Sequence, residues 1–139
     1  MKLQSNSDAE TRKIGRRLGE KLKPGDVVCL YGDLGAGKTT MVKGIASALG
    51  IDERDITSAS FTIIAEYHTS VPFYHIDLYR VAAGEESELG LQEYLGSQGI
   101  AVIEWAERAE GEMPDNIIRV DLRYVEDHSR EIELQGIEI

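Results

Sequence analysis

This 139-residue sequence has a single cysteine, and it contains no long apolar run and no apolar leader. Because Cys29 is the only cysteine, an intramolecular disulfide is excluded, and its position in the apolar run Val27–Tyr31 predicts a small core side chain. No run approaches the ~18 apolar residues that a membrane helix needs, and residues 1–11 are polar. These absences predict a soluble protein of a reducing, cytoplasmic compartment that contacts no membrane.

Repeats, linkers and low-complexity segments are absent as well. With 42% hydrophobic and 29% charged residues, the composition is typical of one globular domain spanning residues 1–139. A chain of this length buries roughly two thirds of the surface that it exposes when unfolded, so it needs neither disulfides nor a structural metal. His68, His75 and His128 show no metal-ligand spacing, which favours solvated or packed side chains.

Basic residues are scarce outside the first third of the chain. The net charge is -10, yet residues 1–50 carry 9 Lys and Arg against 5 Asp and Glu, whereas residues 51–139 carry 6 against 20. The acidic part is expected to repel nucleic acid. Near the amino terminus, an apolar repeat every four residues predicts a helix whose basic face is either solvated or docks an acidic partner. The basic residues of this segment are Arg12, Lys13, Arg16, Arg17, Lys21 and Lys23.

The hydrophobic periodicity predicts an α/β protein. Helices are expected over residues 8–22, 38–49 and 86–95, and strands over 27–31, 62–69, 73–78, 100–105, 117–125 and 130–138. The early alternation of helix and strand predicts a mostly parallel central sheet with helices on both faces. Polar and apolar residues alternate in the last two strands, which predicts an antiparallel hairpin at the carboxyl terminus.

Residues 32–39 have the sequence Gly-Asp-Leu-Gly-Ala-Gly-Lys-Thr, a complete phosphate-binding loop between a predicted strand and a predicted helix. Glycines allow backbone N–H groups to converge on phosphate oxygens, and the following helix adds its positive amino-terminal end. Lys38 would contact the β and γ phosphates, and Thr39 would offer its hydroxyl to Mg²⁺. A simple turn that caps a helix would leave the Lys-Thr pair unexplained. The loop therefore predicts a P-loop nucleotide hydrolase fold that uses ATP or a related nucleotide with Mg²⁺.

Two carboxylates follow predicted strands and are candidates for the metal site. Asp77 ends the strand at 73–78, and Glu104 ends the apolar run at 100–103. Ligands of open α/β sheets lie at the carboxyl ends of the strands, so either carboxylate could hold Mg²⁺ while the other orients the attacking water. A surface carboxylate paired with a residue such as Arg80 is the alternative for each.

Residues 57–62 form a hydroxyl-rich segment between the loop and the carboxylates. Many nucleotide hydrolases keep a loop that senses the γ phosphate at this point in the chain. Hydroxyl clusters are also common in ordinary turns.

Five segments in this order resemble one known family. They are the loop at 32–40, Ser58–Phe61, His75–Arg80, Leu89–Tyr94 and Ile103–Trp105. Together they resemble the TsaE family, formerly YjeE, over nearly the whole chain, and D-L-Y-R followed by I-E-W at this spacing is specific. The resemblance implies a small bacterial ATPase needed to make N6-threonylcarbamoyladenosine at position 37 of tRNAs that read codons starting with A. It also implies TsaB and TsaD as partners, with TsaD transferring the threonylcarbamoyl group and tRNA contacted only indirectly.

The resemblance also assigns site residues by position. It implies Lys38, Asp77 and Ser60 as catalytic residues and Thr39 with Glu104 as Mg²⁺ ligands. Ser60 stands where the family usually has threonine, and alanines at 59 and 106 replace usual prolines, which softens the rigidity of the switch segment. Trp105 is expected near the nucleotide, at a partner surface or in the core. The implied nucleotide-binding residues are Thr11, Gly35, Ala36, Gly37, Lys38, Thr39 and Thr40.

Other nucleotide-binding classes fit the sequence less well. A small-molecule kinase usually has an arginine-bearing lid, and a GTPase an N-K-x-D motif, whereas this chain has only isolated arginines after its central strands and no such motif. Leu95–Gly99 only faintly matches the signature of a transporter ATPase. A switch that binds nucleotide to order a docking surface, with incidental hydrolysis, remains the main alternative to the ATPase.

Overall fold

Seven strands form one sheet in the computed structural model, which describes residues 1–33, 35–57, 63–96, 98–126 and 128–139. The order across the sheet is β1-β7-β6-β2-β5-β4-β3. The strands are β1 (Lys2–Ser5), β2 (Val27–Tyr31), β3 (Ile64–Tyr67), β4 (Phe73–Asp77), β5 (Ile100–Glu104), β6 (Ile118–Glu126) and β7 (Ser129–Gln135).

The centre of the sheet is parallel and its edges are antiparallel. β2 pairs in parallel with β5 and β6, and β4 pairs in parallel with β5. β3 runs antiparallel to β4, while β7 runs antiparallel to β6 and β1. The predicted α/β class, the parallel centre and the carboxyl-terminal hairpin are confirmed. The carboxyl ends of β2, β4 and β5 consequently lie side by side.

Two α-helices, α1 (Asp8–Gly19) and α2 (Lys38–Ala48), pack against one face of the sheet and against each other. At the start of α1 the Ser7 hydroxyl accepts a hydrogen bond from the backbone N–H of Glu10. The Glu10 carboxylate accepts one from the backbone N–H of Asn6, one residue before the N-cap, which is a variant of the capping box. A Cβ on Gly44 would lie 2.2 Å from the Arg12 carbonyl oxygen. The backbones of α1 and α2 therefore approach more closely than any larger residue at this position would allow.

Short 3₁₀ segments cover the other face. Leu91–Glu93 and Ala106–Glu112 carry side chains that pack in the apolar layer on this face, and Glu86–Glu88 lies beside them. A further 3₁₀ segment, Glu53–Asp55, packs against α2.

The short continuous helix predicted over residues 86–95 is wrong, because two separate 3₁₀ segments occupy this range. Positive φ angles occur in this region at Gly84, Gly90 and Gly96. Because a right-handed helix requires negative φ angles, helical structure cannot continue through these glycines.

Two further boundaries differ from the prediction. The first helix ends at Gly19 rather than near residue 22, because Lys21 and Leu22 continue as turns. Strand β1 was not predicted at all. Its four residues pair only with β7, so the alternation that marks a strand is too short to stand out in the sequence.

The sheet separates two apolar layers because successive residues of a strand point to opposite faces. In β2, Val28 and Leu30 face the helices, whereas Val27, Cys29 and Tyr31 face the 3₁₀ segments. Burial raises the pKa of the Cys29 thiol to about 12, as expected for a core cysteine. Across the described ranges, no helix is long and apolar enough to cross a membrane.

Candidate functional site

The glycine-rich loop joins the end of β2 to the start of α2. Gly35 and Gly37 adopt left-handed backbone conformations with φ of 83° and 99°, which side chains rarely tolerate. A Cβ on Gly37 would lie 3.0 Å from Nε of Arg130. α2 begins directly after this glycine, and within the described residues no side chain caps its first N–H groups. The backbone here has the geometry that suits an anion, whereas Leu34 lies outside the described residues.

A cavity of about 340 Å³ opens above this loop, at the carboxyl ends of the central strands. It is bounded by the loop, the start of α2, the ends of β4 and β5, and one residue each from α1 and β7. Its lining residues are Asp8, Gly35, Gly37, Lys38, Thr39, Thr40, Asp77, Tyr79, Glu104, Trp105 and Arg130.

Lys38 is almost fully buried beside the cavity. Its ammonium group donates a hydrogen bond to the Gly32 carbonyl and lies 3.6 Å from the centroid of the Trp105 ring. Burial lowers the pKa of Lys38, and Glu104 opposes this by favouring the charged form. The ammonium group is therefore held by a carbonyl and an aromatic face that an incoming anion would have to replace.

Thr39 and Glu104 meet at the floor of the cavity. The Thr39 hydroxyl lies 3.2 and 3.3 Å from the two carboxylate oxygens of Glu104 and donates to them. A hydroxyl and a carboxylate are oxygen ligands of the kind that Mg²⁺ prefers. The carboxylate also contacts His75, whose Nε2 lies 2.6 Å from Oε2 of Glu104.

Asp77 is the immediate neighbour of Glu104 across the β4–β5 ladder. Its Oδ1 accepts a hydrogen bond from the Tyr79 backbone N–H at 2.9 Å, and its side chain lines the cavity. Burial raises the pKa of Asp77, and the nearby Glu104 carboxylate raises it further. Two carboxylates with different partners thus stand next to each other at the cavity.

Trp105 and Tyr79 form an aromatic rim. Their ring centroids lie 5.1 Å apart, and the Arg108 guanidinium lies 5.5 Å from the Trp105 ring. Trp105 adopts a left-handed conformation with φ of 61°, which is unusual for a bulky residue. Because of this conformation, β5 ends at Glu104 and the chain turns at Trp105. Trp105 thus lies beside the loop lysine and also packs against the apolar layer on this face of the sheet.

The structure brings most of the predicted site residues together. Gly35, Gly37, Lys38, Thr39, Thr40, Asp77 and Glu104 all line the cavity. Ala36 is buried in the loop and Thr11 is buried in α1, and neither lines it. The Thr11 hydroxyl instead lies 2.7 Å from that of Ser5 and donates to the Ser7 carbonyl. Ser60 and the rest of segment 58–62 lie outside the described residues.

Four residues at the site were missed in the sequence. Asp8, Tyr79 and Arg130 line the cavity, and His75 lies behind Glu104. The Arg130 guanidinium forms an ion pair with Asp8 at 3.0 Å, its Nε is buried without a partner in the described residues, and only 9% of the side chain is exposed. The sequence pattern that could have revealed Arg130 is the alternation along β7. Arg130 lies two and four residues before the buried Ile132 and Leu134, so its side chain lies on the same buried face.

The residues present fit a phosphate-bearing ligand with a divalent cation. The left-handed glycines remove the Cβ atoms that would fill the loop, and Lys38 and Arg130 supply positive charge beside it. Thr39 and Glu104 would supply oxygen ligands to the cation.

Comparison with known proteins identifies the family. The family model described as threonylcarbamoyl adenosine biosynthesis protein TsaE matches residues 5–132. The chain belongs to the TsaE family. The matched range contains the glycine-rich loop, Asp77 and Glu104.

Curated TsaE relatives match nearly the full length of the chain. The protein named tRNA threonylcarbamoyladenosine biosynthesis protein TsaE from Treponema pallidum is 44% identical, covering 95% of this chain and 98% of its own. That of Bacillus subtilis is 41% identical, covering 99% of this chain and 86% of its own. The crystal structure of Bacillus subtilis YdiB is similar with a TM-score of 0.80 and 41% identity, covering 95% of this chain and 82% of that one. The similarity thus extends over most of both chains in each comparison.

Proposed function

We propose that this chain is a Mg²⁺-dependent ATPase that supports N6-threonylcarbamoyladenosine formation at position 37 of tRNAs reading codons that start with A. The observation that carries the proposal is the meeting of Lys38, Thr39 and Glu104 at one cavity above a glycine-rich loop. Membership of the TsaE family supplies the pathway. The proposed partners are TsaB and TsaD, and the buried, unpaired Cys29 is in keeping with a cytoplasmic protein.

The roles of the loop residues follow from their contacts. The backbone of the loop and the start of α2 bind phosphate oxygens, and Lys38 leaves the Gly32 carbonyl and the Trp105 ring to contact the terminal phosphates. Thr39 and Glu104 hold the metal. Bound ATP and Mg²⁺ supply a phosphoryl group for transfer to water and a cation that neutralises its developing charge.

Asp77 orients the attacking water in this proposal. It stands beside Glu104 in the ladder, and one of its oxygens is fixed by the Tyr79 N–H. Because burial raises its pKa, Asp77 is a stronger base than an exposed aspartate when it is ionised. Glu104 is the better metal ligand, since it alone of the two contacts Thr39.

A second candidate is a nucleotide-dependent switch whose hydrolysis is incidental. The contact of Lys38 with the Trp105 ring favours this switch. If Lys38 left the ring to bind a phosphate, Trp105 and its neighbour Tyr79 would lose a contact that holds them at the mouth of the cavity. Turnover of ATP with and without TsaB and TsaD separates the two. A small-molecule kinase, in contrast, would consume ATP only when a phosphate acceptor is added.

Reconstitution tests the function directly. We expect tRNA modification from purified TsaB, TsaD and this protein, supplied with ATP and an activated threonylcarbamoyl donor, to proceed over many turnovers, and to stop after few or none when this protein is omitted. Because coupling requires hydrolysis, a non-hydrolysable ATP analogue should act like omission. Modified nucleoside is measured by mass spectrometry of digested tRNA. Undiminished multi-turnover modification without this protein would overturn the proposal.

The charge distribution predicts that the isolated protein does not hold tRNA. Residues 51–139 carry 20 Asp and Glu against 6 Lys and Arg, and sequence-independent affinity for nucleic acid requires cationic side chains that release phosphate counterions. We therefore expect weak basal ATPase activity, no saturable tRNA binding at physiological salt, and stimulation on joining TsaB and TsaD. Fluorescence anisotropy with labelled tRNA measures the binding.

The basic face of α1 is the surface that we assign to partner contact. Arg12 and Arg16 are engaged with Glu53 and Glu20, whereas Lys13 and Arg17 are exposed beside the start of the chain. Replacing both exposed residues by glutamate should weaken association with TsaB and TsaD, and wild-type association should weaken as salt rises. Lys43→Glu on α2, compared with Lys13→Glu alone, is the matched charge control. Tight, saturable tRNA binding by the protein alone would instead assign this face to RNA.

A further inference from the structure

His75 lies in the apolar layer between the sheet and the helices. Phe73, His75 and Asp77 alternate along β4 and share the face of β5 that carries Val102 and Glu104. His75 pairs with Val102 in the ladder and is diagonal to Glu104. Its side chain is completely buried, although its neighbours Phe73 and Val102 are apolar. An imidazole in such a layer requires a polar partner.

The partner of the imidazole is Glu104. The Nε2 atom of His75 lies 2.6 Å from Oε2 of Glu104, at a position where both side chains are buried. Because an ionised carboxylate only accepts hydrogen bonds, Nε2 is the donor. In the described part of the chain, Nδ1 of His75 has no hydrogen-bond partner. The contact to Glu104 is thus the one polar interaction of this imidazole that the structure describes.

This contact fixes the direction of the Glu104 carboxylate. His75 holds Oε2 at 2.6 Å, while the Thr39 hydroxyl, which lines the cavity, lies 3.2 Å from Oε1 and 3.3 Å from Oε2. A carboxylate held from behind keeps its remaining lone pairs directed at the cavity and loses little rotational freedom when it binds a cation. Without His75, the Thr39 hydroxyl alone would restrain the Glu104 carboxylate, and that hydroxyl is itself a proposed metal ligand.

We propose that His75 is a positioning residue that orients Glu104 for magnesium binding, an inference that rests on the proposed function. Residues in this role typically change metal affinity by about 10- to 100-fold when they are replaced. His75 touches neither the cavity nor the phosphate loop, so it should not alter metal-free nucleotide binding.

The test compares nucleotide affinity with and without Mg²⁺. Isothermal titration calorimetry with ADP is carried out in excess Mg²⁺ and in EDTA. The ratio of the two affinities is the metal enhancement of ADP binding for each variant. We expect His75→Leu to lose about 10- to 100-fold of this enhancement with less than about a twofold change in EDTA. His75→Gln places an amide N–H near the position of Nε2 and should recover most of it. Phe73→Leu, on the same strand and face, should lower the melting temperature without altering the enhancement.

A second readout uses the wild-type protein, in case His75→Leu does not fold. Nitrogen-15 NMR should show a protected Nε2–H of His75 that shifts on adding ADP with Mg²⁺ but not ADP with EDTA. An unshifted or unprotected Nε2–H would overturn the inference, as would a wild-type metal enhancement in His75→Leu or an equal loss of affinity with and without Mg²⁺. If the wild-type protein binds no nucleotide with Mg²⁺ or with EDTA, the proposed function is wrong and the inference falls with it. That result differs from a failure of the inference alone, in which the wild-type protein still binds ADP.

Discussion

A Lys38→Ala variant is expected to fold normally and to lose about 10²- to 10³-fold of its ATP turnover, with loss of multi-turnover tRNA modification. The estimate is what removal of one preorganised charge from a phosphoryl-transfer site typically costs. Lys38 is buried beside the loop, where its ammonium group contacts the Gly32 carbonyl and Trp105. ATP turnover, circular dichroism and the modification assay measure the three parts of this prediction.

Lys43→Ala is the control for this experiment. Lys43 lies on the same helix but does not line the cavity, so its removal should leave turnover unchanged. Trp105 gives a second readout, because it is the only tryptophan and Lys38 lies over its ring. Wild-type emission should change in a saturable way as nucleotide binds. A well-folded Lys38→Ala protein that sustains full modification would rule out the ATPase assignment.

Replacement of the two carboxylates should separate metal binding from hydrolysis. We expect Glu104→Gln to weaken Mg²⁺-dependent nucleotide binding by about 10- to 100-fold, the loss expected when one charged partner of a close contact is removed. Asp77→Asn should bind ATP with Mg²⁺ as wild type does and hydrolyse it about 10²-fold more slowly or worse, because a neutral amide cannot act as a base. Titration calorimetry and single-turnover hydrolysis measure these two effects.

The assignment depends on one geometric difference. Only Glu104 lies within hydrogen-bond distance of the Thr39 hydroxyl, whereas Asp77 is bonded to the Tyr79 N–H. Glu107→Gln is a suitable control, since it removes a nearby charge that does not line the cavity. Loss of Mg²⁺ affinity in Asp77→Asn with retention in Glu104→Gln would reverse the two roles.

The elements that the sequence predicted well are those specified by local chemistry. Strand β2, the glycine loop and α2 follow one another within residues 27–48, and their boundaries match the prediction closely. Ser7 and Glu10 cap α1 through contacts only three residues apart, which the capping-box pattern indicates. The helix prediction over 86–95 failed because Gly90 within this segment, and Gly84 and Gly96 on either side of it, adopt positive φ angles that a continuous helix does not allow.

The sequence by itself determined a glycine-rich loop between a strand and a helix, an α/β fold and two carboxylates at strand ends. Those features depend on residues close together in the chain. Only the tertiary structure decided that Glu104 meets Thr39, that Asp77 stands beside it, and that His75 and Arg130 join them. The physical reason is the strand order, since β5 enters the sheet between β2 and β4 and β7 returns beside β6. Contacts between residues 65 positions apart, such as Thr39 and Glu104, arise from that pairing and leave no local pattern.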